Sequence, residues 1–342
     1  MNEVMNIKEL EKKAEPEYTK LNFKNKKYAK FFQLCKKDQD ELKSYLYGFL
    51  ERFDYQVKDR PGFLFAKGDS DICLIAHMDT VHKEKPTVFE ERVENDKHYL
   101  HSPQGIGGDD RCGVYIITRL IVEGFRPSIL FTEDEEIGCV GAQKFTASVF
   151  CKELEDCKFL VQLDRRGDND AVYYDLDSVD FENYITELTG YKTADGSCSD
   201  ISEIAPACGV AAVNLSSGYY HEHTLSEEVC WEDMLKTMEA VRTILSTEHE
   251  EQFVYKEYKR YNNWGGYGYY SYNRGRDYGW YDDDEITFDR IEKERKTEYS
   301  IIARTWKGYI QCEIEADSEA EAVGLFLMKY SDMTYEDIEE IS

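Results

Sequence analysis

Short apolar runs alternate with amphipathic segments over the first three quarters of the chain. The apolar runs are rich in aliphatic residues and cover residues 72–77, 128–132, 158–163 and 210–215. Apolar residues at helical spacing cover residues 36–53, 113–122, 141–153 and 226–245. Aliphatic runs of this length are typical of strands buried on both faces. Their alternation with helices predicts an α/β fold in three layers, with a mostly parallel central sheet covered by helices on both faces.

Shorter elements are predicted around this framework. Strands over residues 55–58 and 63–66 are joined by a turn at Pro61-Gly62, and the polar stretch 83–104 indicates an excursion or a hairpin. A short helix is expected to begin near Ser199.

The composition changes at Tyr255, because residues 255–281 include nine tyrosines, mixed with Gly, Asn, Arg and Trp. This stretch lacks the aliphatic residues of a core and indicates a linker, with self-association or stacking on a partner as the alternative. Beyond it, a hairpin through Lys307-Gly308 and a helix predict a small ββα module. Four segments are therefore expected: a flexible leader (1–30), a main domain (31–250), a Tyr/Gly-rich and acidic linker (251–297) and the module (298–342).

The chain has 69 acidic and 42 basic residues, a formal net charge of -27. Because phosphate binding depends on clustered Lys and Arg, this balance argues against nucleic acid or an anionic membrane as the partner. No apolar run has the length of a membrane span or the position of a signal peptide, so a cytoplasmic location is expected. The 10 cysteines include no CxxC pair, which favours reduced thiols.

Residues that can bind metals follow the predicted strands. His77 and Asp79 end the first run, Glu135-Glu136 follow the second and Asp164 the third, whereas the fourth precedes two histidines, His221 and His223. Each piece alone has an ordinary explanation, such as a helix cap or a solvated acidic loop. Functional groups of open α/β sheets gather at the carboxyl ends of strands, however, and the shared position predicts one metal site.

Hydrolysis of an amide by two metal ions requires ligands for both ions, a water and a base. His77 and His223 can each supply an imidazole, and Asp109 can bridge the ions. Glu136 and Asp164 can supply the remaining carboxylates. Nitrogen and oxygen ligands together suit two Zn²⁺ ions, with Co²⁺ or Mn²⁺ as alternatives.

Two further acidic residues have expected roles in this chemistry. Glu135, next to a ligand, is the candidate general base. Asp79 is expected to orient His77.

Five sequence blocks occur in the order of a known family: LIAHMDTV, GIGGDDRCG, LFTEDEEIGCVGA, LVQLDRRG and NLSSGYYHEHT. They resemble the active-site blocks of the dinuclear zinc peptidases similar to peptidase T, acetylornithine deacetylase and succinyl-diaminopimelate desuccinylase. The resemblance spans residues 72 to about 225 and implies a zinc-peptidase-like domain. It implies the same metal ligands, with Glu135 as base and Asp79 as orienting acid.

The chain departs from the family pattern at two places. The family's lid domain usually lies between the fourth and fifth blocks, but Asp164 and His223 are only 59 positions apart, so the lid is expected to be missing. The last ligand is either His221 or His223, and His223 fits the block better.

The sequence therefore predicts a metal-dependent hydrolase of small peptides, an aminopeptidase or tripeptidase. A deacylase of N-acyl amino acids with the same site remains an alternative. So does a non-catalytic module that binds a peptide or protein. Arg111 and Arg165 either hold a substrate carboxylate or balance charge. The C-terminal region is the expected place for a protein partner.

Overall fold

A computed structural model describes residues 18–21 and 27–257, together with the backbone of three strands at 297–305, 308–316 and 338–341. The chain divides into two compact units, Met1–Tyr269 and Tyr270–Ser342. No helix among the described residues combines the length and apolar composition that crossing a membrane requires.

The first unit contains the strands that build two sheets. In chain order they are β1 (Thr19–Lys20), β2 (Val57–Arg60), β3 (Phe63–Ala66), β4 (Ile72–His77), β5 (Glu90–Glu94), β6 (Lys97–His101), β7 (Ser128–Thr132), β8 (Phe159–Arg165), β9 (Asp170–Val172), β10 (Lys192–Ala194), β11 (Ala212–Ser216), β12 (Tyr219–Tyr220) and β13 (Glu228–Cys230). The helices are α1 (Ala29–Cys35), α2 (Gln39–Arg52), α3 (Gly108–Val122), α4 (Val140–Thr146), α5 (Val179–Thr189), α6 (Asp200–Cys208) and α7 (Trp231–Ser246), with a 3-10 turn at Val149–Leu154.

The main sheet has eight strands in the order β10-β9-β11-β8-β4-β7-β3-β2. Its four central strands, β11, β8, β4 and β7, run parallel. Strands β9, β10 and β3 run antiparallel to them, whereas the edge strand β2 is antiparallel to β3 and so has the direction of the centre. The predicted α/β fold with a parallel sheet centre is confirmed.

Helices cover both faces of this sheet. Strand β4 shows why its sequence is apolar throughout: Leu74 and Ala76 pack in one core cluster, and Cys73 and Ile75 pack in the other. Successive strand side chains point to opposite faces, so a strand between two helical layers needs no polar alternation. Apolar residues of α2, α3, α5 and α7 belong to the first cluster, whereas those of α4 and α6 belong to the second.

Helix α2 illustrates how local sequence sets an element boundary. Asp38 is its N-cap, and its side chain accepts a hydrogen bond from the backbone N–H of Glu41, whose carboxylate bonds back to the N–H of Asp38. Such a capping box contributes about 1 kcal/mol. Leu42, Leu46 and Leu50 follow at helical spacing and are fully buried.

A second sheet lies in the order β1-β5-β6-β13-β12, with every neighbouring pair antiparallel. It contains the hairpin expected within residues 83–104. It also corrects one boundary: the helix predicted from residue 226 begins at Trp231, because Glu228–Cys230 pair with β6. The segment after β12 therefore forms a loop before it returns to the sheet.

Between Asp164 and Ser199, the structure contains three elements that the sequence analysis leaves unassigned. Strand β9, helix α5 and strand β10 lie between Asp164 and residue 199, and the two short strands extend the main sheet. Short strands of three residues carry too little periodic signal to be recognised.

The leader predicted for residues 1–30 has structure at its described end. Thr19–Lys20 pair with Glu90-Glu91, and the buried Tyr28 precedes α1. Residues 1–17 and 22–26 lie outside the described residues.

The second unit contains three strands, β14 (Thr297–Thr305), β15 (Gly308–Ala316) and β16 (Ile338–Ile341). They form an antiparallel sheet in the order β15-β14-β16. The predicted hairpin is present, with Thr305 paired to Gly308, and β16 adds a strand to it. The predicted helix of the module and most of the Tyr/Gly-rich linker lie outside the described residues, and the domain boundaries stay predictions.

Candidate dinuclear metal site

The parallel centre of the main sheet brings the candidate residues to one edge. His77 is the last residue of β4, Asp164 lies at the end of β8, and Glu135-Glu136 follow β7. These strands are neighbours that run in the same direction, so their carboxyl ends meet. Helix α3 begins beside them and carries Asp109.

Glycine allows the start of α3 to approach the second sheet closely. A Cβ atom at Gly108 would lie 2.5 Å from Val229 Cγ2 and 2.9 Å from Tyr219 Cβ. Only glycine fits such a contact without displacing its neighbours. The approach brings Asp109 next to the loop between β12 and β13.

The first group of possible ligands consists of His77, Asp109 and Asp164, all buried. His77 Nε2 lies 2.9 Å from Asp109 Oδ1 and 3.5 Å from Asp164 Oδ1. One nitrogen and two carboxylate oxygens thus converge within the distances that a single cation can bridge.

The second group consists of Asp109, Glu136 and His223. His223 Nε2 lies 3.3 Å from Asp109 Oδ2 and 2.9 Å from Glu136 Oε2. Asp109 therefore directs one oxygen to each group, which is the arrangement of a carboxylate that bridges two ions.

The two histidines of the HEH segment are placed differently. His223 supplies a nitrogen to the second group. His221 supplies none to either group among the described residues, and its carbonyl accepts a hydrogen bond from Thr224 Oγ1 at 2.7 Å. The geometry therefore favours His223 as the last ligand.

Asp79 fixes the orientation of several neighbours at once. Its Oδ1 lies 3.0 Å from His77 Nδ1 and accepts the backbone N–H of Glu135 at 3.0 Å. Its Oδ2 accepts the backbone N–H of Glu136, also at 3.0 Å. A carboxylate on Nδ1 sets the tautomer that leaves Nε2 free for a metal. The same side chain thereby positions the turn that carries Glu135 and Glu136.

Asp164 is held by three side chains that the sequence analysis did not single out. Its Oδ2 accepts hydrogen bonds from Ser199 Oγ at 2.6 Å and from Gln162 Nε2 at 3.2 Å. Its Oδ1 accepts the Tyr219 hydroxyl at 3.1 Å. Ser199 is also the N-cap of α6. The helix start expected near Ser199 was the signal in the sequence that could have identified it. Gln162 is a polar residue within the apolar run 158–163 and was a second signal, whereas nothing in the sequence pattern distinguishes Tyr219 from other core residues.

Asp109 is held through its backbone by a buried acid, Glu227. Glu227 Oε1 accepts the N–H of Asp109 at 2.9 Å, and Oε2 accepts the N–H of Gly107 at 3.1 Å. His82 Nε2 lies 2.5 Å from the same Oε2. The His82 side chain is only 7% exposed, although it follows the polar end of the first sequence block. Both side chains shape the loop that carries Asp109.

Negative charge accumulates around these residues. Burial raises the pKa of the Glu135 carboxyl, and the charge of Asp164 raises it further. The pKa of Asp110 is raised for the same two reasons. Asp200 is buried as well, hydrogen-bonded to Thr132, and burial raises its pKa to about 7. Clustered buried acids are expensive unless cations compensate them.

The two candidate arginines donate hydrogen bonds to groups of the protein itself. Arg111 is 1% exposed, and it donates to the carbonyls of Asp79 and Lys37. It therefore fixes the chain after β4. Arg165 donates to the Asp170 carboxylate and to the carbonyl of Asp195. Of the two predicted roles, charge balance fits these contacts better than binding of a substrate carboxylate.

The donor set fits a pair of divalent cations. Each group combines one imidazole with two carboxylates, and the oxygen and nitrogen atoms of each group lie within 4.8 Å of one another. Glu136 Oε1 is buried and has no hydrogen-bond partner among the described residues. A buried carboxylate oxygen without a partner is a costly feature that metal coordination would relieve.

Two solved structures share this architecture. Aminopeptidase PepT from Bacillus cereus matches with a TM-score of 0.50 and 16% sequence identity, over 64% of this chain and 96% of its own. A tripeptidase from Staphylococcus aureus matches with a TM-score of 0.50 and 15% identity, over the same shares of the two chains. The chain has a metallopeptidase-like fold. At this level of identity the likeness concerns the fold, so the activity has to be argued from the site.

Comparison by sequence adds no relative: no model of a protein family matches the chain, and no curated protein matches it.

Proposed function

We propose that this protein is a peptidase that uses two metal ions, Zn²⁺ in the simplest case, to release residues from small peptides. The observation that carries the proposal is Asp109, whose two oxygens lie 2.9 Å and 3.3 Å from the imidazole nitrogens of two separate ligand groups. An ordinary structural salt bridge would not explain why one carboxylate is shared between two such groups. The names of the two similar structures, an aminopeptidase and a tripeptidase, support a peptide as the substrate.

The two metal ions, when bound, would lower the pKa of a coordinated water and polarise the scissile carbonyl. In the proposed site His77 and Asp164 hold one ion, His223 and Glu136 hold the other, and Asp109 is shared. Hydrogen bonds described above hold the side chains of His77 and Asp164 and the backbones of Asp109 and Glu136. Such support commonly contributes about 10- to 100-fold in affinity or activity.

Glu135 is the proposed general base. Its carboxylate lies in the electrostatic field of His77, Asp109 and Asp164 without belonging to either ligand group. It takes the proton from the attacking water and delivers it to the leaving amine. Asp79 contributes by holding the backbone N–H of Glu135, which limits where that carboxylate can reach.

The expected absence of a lid domain affects which groups can hold the substrate. Every helix and strand that the structure describes between Asp164 and His223 is part of the main sheet, its helical layers or the short strand β12. The cleft therefore lacks an inserted domain at that point of the chain. The groups that hold the substrate must then come from the residues around the ions.

Metal analysis combined with a substrate panel tests the proposal. The full chain, loaded with Zn²⁺ and desalted, should retain about two equivalents of zinc and hydrolyse di- and tripeptides. Asp109→Asn should lose most of the zinc, because one substitution affects both groups, whereas Asp168→Asn on a surface loop should retain it. Turnover of N-acyl amino acids alone would replace the peptidase by a deacylase. A chain that binds zinc without any turnover would indicate a binding module instead.

The cytoplasmic location and a protein partner at the C-terminal region stay predictions.

A further inference from the structure

Two cysteines lie against each other beside the candidate base. Cys139 Sγ is 3.8 Å from Cys198 Sγ, although the residues are 59 positions apart in the chain. Cys139 Sγ is also 3.7 Å from Glu135 Oε1, and its thiol donates to that carboxylate. Cys198 is exposed, whereas the other eight cysteines that the structure describes are buried.

Each cysteine belongs to a segment that carries site residues. Cys139 ends the turn after Glu135-Glu136, and its backbone N–H donates to the Glu135 carbonyl at 2.8 Å. Cys198 directly precedes Ser199, which donates to Asp164 at 2.6 Å. A bond between the two sulfurs would therefore join the segment of the base to the segment that orients a ligand.

The pair can close with a small movement. A disulfide has a sulfur–sulfur distance of about 2.05 Å, so the sulfurs must approach by a little less than 2 Å. Cys139 is fixed at the start of α4, but residues 195–198 are exposed and free of helix or strand structure. The exposed side can supply the movement.

We infer that Cys139 and Cys198 form a reversible dithiol–disulfide site at the rim of the metal site, and that a peroxide or a disulfide reagent oxidises it. The effect on turnover rests on the proposed function, whereas formation of the bond does not.

The reaction with hydrogen peroxide balances in two steps. The Cys198 thiolate attacks a peroxide oxygen, the O–O bond breaks, and a sulfenic acid and hydroxide form; the hydroxide takes up the thiol proton as water. The Cys139 thiolate then attacks the Cys198 sulfur, the S–O bond breaks, and a second water leaves. Two thiols lose two electrons and two protons, and one peroxide becomes two waters. Cys198 is the exposed member of the pair and Cys139 the buried one, which favours Cys198 as the first to react.

Oxidation would change the site in two ways. It removes the S–H group that donates to Glu135, and it ties the Glu135 turn to the segment before Ser199. A displacement of about 1 Å in a reacting group can cost on the order of 100-fold in rate, so we expect turnover to fall by about 10- to 100-fold. Reduction by dithiothreitol should restore it.

The experiment uses the full chain and three variants, Cys198→Ala, Cys139→Ala and the control Cys151→Ala. Cys151 is a buried cysteine of the second core cluster, so its replacement leaves the pair intact. Each protein is treated with hydrogen peroxide, and peptide mapping under non-reducing conditions locates any cross-link. Intact mass, zinc content and peptide turnover are measured before and after dithiothreitol.

Support for the inference is a loss of two hydrogens, a 139–198 cross-link in wild type and Cys151→Ala, and none in Cys198→Ala or Cys139→Ala. Cys198→Ala should also keep its turnover under peroxide. A Cys198 oxidised to sulfinic acid without a cross-link, or a cross-link elsewhere, would overturn the inference. If the cross-link forms and turnover is unchanged, the link to the site is wrong. If the cross-link forms in a chain that never hydrolyses peptides, the dithiol site stands and the proposed function fails.

Discussion

Single side chains in this protein owe their positions to partners that lie far away in the sequence. Glu135 belongs to a turn whose two backbone N–H groups are fixed by Asp79, which is itself paired with His77. The four acidic residues from 133 to 136 are alike in the sequence but have different surroundings. Glu133 binds Lys43 and the N–H of Gly62, whereas Asp134 accepts from Gln39. Only Glu135 and Glu136 are left to the site.

This difference leads to a prediction for Glu135→Gln. The substitution keeps the size of the side chain and removes the base, so peptide turnover should fall by a factor on the order of 100 to 10,000 while zinc content is retained. Zinc analysis and steady-state kinetics measure the two effects separately.

Asp134→Asn is the matched control, because it neutralises the neighbouring carboxylate on the same turn. It should change turnover little. Unchanged turnover in Glu135→Gln would remove Glu135 from the role of base, and an equal loss in both variants would indicate a general electrostatic effect.

At the scale of elements, an ion pair joins β5 to β13 of the second sheet across the strand between them. Arg92 on β5 donates to both Glu228 oxygens on β13, at 2.5 Å and 2.7 Å. Its guanidinium lies 3.9 Å from the ring centroid of Tyr99 on β6, the strand between them. Glu228 is 3% exposed, and it follows Glu227, which holds Asp109. We therefore expect the sheet next to Asp109 to depend on this pair.

Glu228→Gln should therefore destabilise the fold in a pH-dependent way. Burial raises the pKa of Glu228, but the hydrogen bonds from Arg92 and Tyr18 outweigh it, and the pKa in the folded protein lies below the ordinary 4.5. The stabilisation is complete above pH 4.5 and is lost as the pH falls through the lower folded value. Urea unfolding should show a loss of about 2 kcal/mol at pH 7, because charged hydrogen bonds are broken, and a smaller difference from wild type below pH 4.5.

Glu94→Gln serves as the control, since Glu94 pairs with the same Arg92 but its side chain is 58% exposed. Its effect on unfolding should be small. A Glu228→Gln deficit that does not change with pH would show that the lost contribution is packing and not charge.

At the scale of the whole molecule, residues that follow α7 complete the first unit. Residues after α7 return to the main sheet: the N–H of Phe253 donates to the Lys158 carbonyl at 2.9 Å, and the Phe253 carbonyl accepts the N–H of Ala211 at 2.8 Å. The Phe253 ring packs 4.9 Å from Phe181 and 5.1 Å from Tyr184. The core therefore closes only beyond residue 250.

Two truncations test this conclusion. A chain of residues 1–269 should fold and unfold cooperatively at nearly the temperature of the full protein, because it contains the whole first unit. A chain of residues 1–247 lacks Phe253 and should lose several kcal/mol, as large aromatic truncations in a core cost about 3 to 5 kcal/mol. Circular dichroism during heating measures both. Failure of residues 1–269 to fold would show that the C-terminal unit contributes to the stability of the first.

The sequence by itself determined the order of the main strands and helices and pointed to the acids and imidazoles at the strand ends. It could do so because strands buried on both faces are continuously apolar, and because parallel strands present their carboxyl ends together. Only the tertiary structure decided that His223 and not His221 faces Glu136, and that Asp109 divides its oxygens between two groups. It also revealed the hydrogen bonds of Ser199 and Tyr219 to Asp164 and of Glu227 to Asp109, and the contact of Cys198 with Cys139. These relations depend on distances of a few ångströms between distant segments, and no local pattern encodes them.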